Sequence, residues 1–121
     1  MGREVNISYR FGDGPETAIE VRPPYFLLGC QDTSMLFWSH ARLREIGVTQ
    51  LAELGVLDPV SFVGWDMMAK FRREIDLLHE HLASIDFDAD LKTSWLAHLV
   101  YCYHLLLLTA PKDSTPVLTI G

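Results

Sequence analysis

The sequence contains few cysteines. Only Cys30 and Cys102 occur in 121 residues, and both lie among apolar neighbours. A small secreted domain normally needs more cross-links than one pair can supply. We therefore expect two buried free thiols, as in a cytoplasmic protein, and a single disulfide between them is the alternative.

Basic residues are also scarce. The chain has 10 Lys and Arg against 16 Asp and Glu, which gives a formal net charge of −6. Nucleic acids and anionic membrane surfaces are bound through Lys and Arg, so this balance argues against both as partners. An acidic surface instead speeds the encounter with a basic protein.

Long apolar runs are missing as well. The most apolar segment, 95–108, is interrupted by His98 and His104 and is too short and polar for a membrane span. The first residues alternate like a strand and lack the apolar centre of a signal peptide. These features predict a soluble protein of the cytoplasm.

The stretch 65–108 carries the clearest structural signal in the chain. Apolar residues recur there at steps of three and four, which predicts an amphipathic helix over about 65–84. The following segment, about 91–108, is apolar nearly all round, and this predicts a central helix buried on most sides. The members of the first stripe are Met68, Phe71, Ile75, Leu78, Leu82 and Ile85.

Strand signals are concentrated near the N-terminus. Residues 4–11 alternate between apolar and polar, 12–15 form a dense turn signal, and 17–21 again resemble a strand. An N-terminal β-hairpin is therefore predicted. Three further extended segments are expected, of which the last could add to the hairpin: 25–30 (as a strand or a buried connector), 60–63 and 117–120.

Two shorter helices are predicted between these strands. The first runs over 35–46, with its N-cap within 32–34 and its end at Gly47, and the second covers 48–57, ending near Gly55. The whole pattern indicates one α+β domain, 1–121. A small antiparallel sheet containing the hairpin packs on three or four helices, with the helix near 91–108 at the centre. The apolar circumference of that helix could alternatively complete a homodimer interface.

The histidines give only fragments of metal sites. His79 and His81 are two residues apart, whereas ligands sharing a helix face need a spacing of four. His98 and Cys102 have that spacing but supply only half of a ligand set. We expect no bound metal and no cofactor.

The densest run of one charge lies between the two long helices. It contains Glu80, Asp86, Asp88 and Asp90, with no Lys or Arg among them. The three aspartates copy the start of a calcium loop, but the glycine and the final glutamate of that loop are missing. Asp88 or Asp90 could cap the second helix. The other interpretation is an acidic edge that binds a partner, and we predict these four residues as partner-binding.

Catalytic patterns are weak. Ser39 beside His40 and Ser94 near His98 are pairs that occur often by chance, and no glycine elbow frames either serine. The sequence therefore favours a protein that is not an enzyme. Two alternatives remain: a small-molecule or enzymatic pocket between hairpin and helices, lined by His98 and Tyr101, or a structural homo-oligomer.

The overall build resembles the small, acidic, cytosolic immunity proteins that bacteria encode beside polymorphic toxins. The resemblance covers a strand pair, the segment 60–65 entering a charged helix, an apolar helix and a tail containing prolines. It implies a non-enzymatic protein that binds and neutralises a toxin domain. It assigns a role to no individual residue.

Overall fold

The structure is a computed structural model that describes residues 2–121. Over that range it contains five strands, four α-helices and two 3-10 turns, and it confirms the predicted α+β class. The strands are β1 (Gly2–Arg10), β2 (Thr17–Ile19), β3 (Leu27–Cys30), β4 (Val60–Val63) and β5 (Thr115–Ile120). The helices are α1 (Gln31–Trp38), α2 (Ala41–Glu45), α3 (Trp65–His81) and α4 (Ala89–Thr109), and the 3-10 turns are Leu51–Gly55 and Leu82–Ser84.

The sheet is antiparallel, with the strand order β2-β1-β5-β4, and β3 pairs with the start of β1. The predicted hairpin is confirmed as the β1–β2 pair, and the final strand joins it on the other side of β1. Ile7, Leu118 and Phe62 lie side by side across three strands and are all buried. This row marks the face of the sheet on which the helices pack.

Helix α4 is buried along one broad face and not all round. Trp95, Leu99 and Leu106 are buried, whereas Leu108 is 85% exposed and Leu91 is also exposed. The prediction of a helix at the centre of the core is right, but its last turn and its first turn both reach solvent. Among residues 2–121, no helix is both long and apolar enough to cross a bilayer.

The predicted helix over 35–46 is wrong, since two helices with a break at Ser39 and His40 replace it. Ser39 Oγ donates to the carbonyl oxygens of Met35 and Gly55, which fixes it against the following 3-10 turn. His40 Nδ1 then accepts a hydrogen bond from Arg42 N at 3.2 Å and caps α2. The expected N-cap within 32–34 is also wrong, because α1 begins one residue before that segment.

Within residues 2–121, three charged side chains are buried: Arg3, Glu74 and Lys92. Glu74 belongs to the charged helix α3, yet its side chain is buried. Its carboxylate accepts hydrogen bonds from the amides of Leu51 (2.8 Å) and Gln50 (3.0 Å), so it caps the first 3-10 turn from another part of the chain.

Both cysteines are free, but only Cys102 is buried. The expectation of a buried Cys30 is wrong, because this residue ends β3 and stands at the exposed N-cap position of α1. Its Sγ lies 3.0 Å from Thr33 Oγ1, and that hydrogen bond lowers the pKa of the Cys30 thiol. Burial raises the pKa of Cys102 to about 12.

We expect the two thiols to react at very different rates near pH 8. A thiolate is the reactive form, and a lowered pKa increases its fraction at Cys30, while Cys102 stays protonated and enclosed. Titration with a chromogenic disulfide should detect one thiol in the native protein and two after denaturation. The Cys30→Ser variant should show no fast reaction, and a fast reaction remaining in it would contradict the assignment.

Candidate protein-binding edge

The four predicted acids lie around the connection between α3 and α4. Glu80 belongs to the last turn of α3, and Asp86, Asp88 and Asp90 surround the start of α4. All four side chains are exposed. We call these four residues the acidic edge.

Few positive charges offset the acidic edge. Glu80 Oε2 lies 3.9 Å from His81 Nε2, which is a charged pair only when the histidine is protonated. Across residues 2–121, neither Asp86 nor Asp90 has a lysine or arginine within ion-pair distance. Their negative charge is therefore available to a partner.

One acid also has a structural role. Asp88 Oδ1 accepts a hydrogen bond from Leu91 N at 2.9 Å, which makes Asp88 the N-cap of α4. Asp90 lies in the first helical turn, where a carboxylate interacts favourably with the helix dipole. The choice between these two capping candidates, left open by the sequence, is thus settled in favour of Asp88.

Asp88→Ala should lower the free energy of unfolding by about 1 kcal/mol, because the amide of Leu91 loses its acceptor. Asp88→Asn should cost less, since asparagine is also a good N-cap. Urea denaturation of both variants measures the difference. Asp90→Asn is the matched comparison, and a larger loss there than in Asp88→Ala would contradict the assignment of the cap.

The connection that carries the acidic edge is fixed from beneath by Lys92. Its buried Nζ donates to the carbonyl oxygens of Leu82 (2.8 Å) and Ile85 (2.6 Å). Ser84 Oγ adds a bond to the His81 carbonyl at 2.7 Å. These three hydrogen bonds join the connection to α4 and to the end of α3.

Sequence reasoning missed Lys92, although a signal was present. Lys92 precedes Trp95, Leu96 and Leu99 by three, four and seven residues, so it shares their buried face of α4. A lysine in such a stripe indicates either a buried ammonium with acceptors or a long side chain reaching solvent. The structure shows the first.

A groove of about 740 Å³ lies beside the acidic edge, between the end of α3 and the first half of α4. Sequence reasoning gave no indication of it. Its lining is mostly apolar, with short alanine side chains among larger aliphatic ones. The lining residues are His79, Leu82, Ala83, Ala89, Lys92, Thr93, Leu96, Ala97 and Val100.

His98 and Tyr101, expected to line a pocket between hairpin and helices, contact the chain itself. His98 Nδ1 lies 2.7 Å from the carbonyl oxygen of Leu27, and the Tyr101 ring stacks on Tyr25 with centroids 4.0 Å apart. The hairpin does border a pocket of about 440 Å³, and neither residue lines it.

The half-site formed by His98 and Cys102 gains no further ligands. Cys102 Sγ donates to the Tyr25 carbonyl oxygen at 3.2 Å. Over residues 2–121, no group of three or more histidine, cysteine or acidic side chains gathers as a metal site would require. His98 therefore joins α4 to the first residue of β3, and Cys102 joins α4 to the segment just before that strand.

Comparison of the chain with protein-family models, curated proteins and solved structures gave no match. The surface feature that stands out in the chain is a charged edge on a fixed connection, with an apolar groove next to it. An apolar centre with a polar rim is the usual composition of a protein-binding surface.

Proposed function

We propose that this protein binds and neutralises a basic toxin domain in the bacterial cytoplasm, as the immunity proteins it resembles do. The observation that carries the proposal is the acidic edge, whose aspartates face solvent without Lys or Arg partners in the described part of the chain. The net charge of −6 adds to the same field. No cofactor and no catalytic step are part of this function.

The fixed α3–α4 connection supports an inhibitory role. Binding loses free energy when loops or side chains must be ordered, so an inhibitor gains affinity from a surface that is already in place. The Lys92 hydrogen bonds to Leu82 and Ile85 order this connection before any partner arrives. The acidic edge then attracts a basic partner over a distance comparable with the Debye length.

The direct test is a growth assay in a bacterial host. The open reading frame immediately upstream of this gene is expressed alone and together with this protein. The proposal predicts that the upstream product stops growth and that co-expression restores it. A harmless upstream product encoded within a metabolic operon would overturn the proposal and favour a small-molecule role.

Neutralising part of the acidic edge should slow association with that toxin. We expect Glu80→Gln combined with Asp86→Asn to reduce the association rate constant about threefold to tenfold at low salt, because electrostatic steering is weakened. Dissociation should change less. Stopped-flow measurements at two ionic strengths separate the two rates, and Asp88 is left intact because it caps α4.

The matched control is Asp13→Asn with Glu20→Gln, which removes the same charge from exposed residues around the hairpin. This control should retain most of the association rate and its salt dependence. Equal rates for the wild type and the Glu80 and Asp86 variant at low salt would remove the acidic edge from recruitment.

A further inference from the structure

We propose that the groove beside the acidic edge receives an amphipathic α-helix of the partner, with apolar residues facing the groove and Lys or Arg along its flank. This inference rests on the proposed function, since it takes the partner to be a protein with a basic surface. It adds the structural form of the bound segment and the place where it binds.

The floor of the groove is suited to apolar anchors. Leu82, Leu96 and Val100 supply aliphatic surface, and the walls carry the short side chains of Ala83 and Ala97. A volume of about 740 Å³ holds several side chains, and low walls allow a second backbone to approach closely. Apolar side chains of a partner that pack on this surface are removed from water, which favours binding.

The shape of the groove favours a helix as its occupant. Along α4 the groove is lined by Ala89, Thr93, Leu96 and Val100, which share one face of that helix. These residues span roughly 16 Å of α4, or about three helical turns. A helix lying along such a groove places its residues i, i+3 or i+4, and i+7 against the floor.

The charge around the groove decides which helix fits. Glu80 precedes Ala83 by three residues, and Asp90 precedes Thr93 by the same interval, so each acid lies about one turn from a residue of the lining. Lys92 adds one positive charge to the lining, and its Nζ lies beneath the connection, where two carbonyl oxygens accept its hydrogen bonds. Arg42 also reaches this connection, where its Nε donates to Ser84 Oγ at 3.1 Å, and it pairs with Glu45. Among residues 2–121, Glu80 and Asp90 remain without a lysine or arginine partner, and these two acids complement a basic flank.

A second copy of this chain fits the groove poorly. In a symmetric dimer the same patch faces itself, which brings two acidic edges together in molecules that each carry a net charge of −6. Like charges placed opposite each other across an interface are unfavourable. The groove thus favours a basic partner over self-association.

The probe for the test is a synthetic peptide of about 18 residues, long enough for five helical turns. It carries leucine at i, i+3, i+4 and i+7 spacings and lysine on both flanks. One control peptide has the same composition in scrambled order. The other has glutamate in place of each lysine. Binding to the 121-residue protein is followed by chemical-shift changes in its ¹⁵N-labelled amides and by fluorescence titration.

The expected result is binding of the basic striped peptide, with shifts confined to the two helices that form the groove. Ala97→Trp fills the groove and should weaken this binding about tenfold or more, since the apolar anchors lose their place. Ala41→Trp, at an exposed residue of α2, should leave it unchanged. Ala83→Trp blocks the opposite wall and should reproduce the effect of Ala97→Trp if the latter folds poorly.

Equal binding of the scrambled or acidic peptide would overturn the inference, and so would shifts located away from the groove. Binding of the Ala97→Trp variant to a toxin identified in the growth assay distinguishes the two proposals. If Ala97→Trp binds that toxin as tightly as the wild type, the groove assignment fails while the neutralising function stands. If the growth assay fails but the Ala97→Trp variant still loses the peptide, the toxin proposal fails and the groove remains a helix-binding site.

Discussion

Replacing Glu74 with alanine is expected to lower the free energy of unfolding by about 3–5 kcal/mol, because a buried, hydrogen-bonded charge is removed from its partners. Glu74 is only 2% exposed. Its carboxylate accepts the amides of Gln50 and Leu51 and lies 3.4 Å from Lys70 Nζ. The alanine variant leaves both amides without an acceptor and the lysine without its counterion.

The matched control lies on the same helix. Asp76 pairs with Arg72 at 3.1 Å with the same i, i+4 spacing, but both side chains are more than half exposed. Asp76→Ala should cost less than about 0.5 kcal/mol, as exposed ion pairs do. Urea denaturation of both variants gives the comparison. Losses of similar size would show that Glu74 does not hold the 3-10 turn in solution.

The second large effect is expected at Trp95. Trp95→Ala should cost about 3–5 kcal/mol, a large part of the stability of a domain of this size. Its ring is 4% exposed and lies 5.8 Å from the rings of both Phe37 and Phe87, measured between centroids. The ring also packs directly on Gly29, where a Cβ would come within 2.5 Å of the indole and φ is +76°.

Two comparisons separate this packing from a general effect of truncation. Leu108→Ala, at the exposed end of α4, should change the free energy of unfolding by less than about 0.5 kcal/mol. Gly29→Ala should destabilise strongly without removing any atom, because the added methyl group meets the indole ring. An unchanged urea midpoint for Trp95→Ala would exclude the indole from the core.

Local sequence patterns predicted those elements in which the buried residues recur at a regular interval. The hairpin alternates with period two, and α3 repeats at three and four, so each pattern identifies the inward face without further information. Periodicity does not predict the burial of Glu74. Lys70 with Glu74 and Arg72 with Asp76 have the same spacing in the sequence. The two pairs differ because Glu74 also accepts hydrogen bonds from two amides of a turn more than 20 residues earlier in the chain.

The candidate site was predictable to a similar extent. The acidic run was visible as composition, and one of its aspartates was expected to cap α4. The groove could not be predicted without knowing how α3 packs against α4, because its two sides come from different helices. The break at Ser39 likewise depends on its bond to the Gly55 carbonyl, 16 residues away. Contacts at such separations leave no periodic trace in the sequence.

The position of β5 in the sheet has a consequence for synthesis of the protein. β5 lies between β1 and β4, and both strands depend on it for their pairing at the centre of the sheet. Until residues 115–120 have been made, the β1 strand of the N-terminal hairpin therefore has one unpaired edge. Pairing of such distant segments slows folding, and an unpaired edge invites aggregation. We expect the sheet to reach its native pairing only after residues 115–120 have left the ribosome.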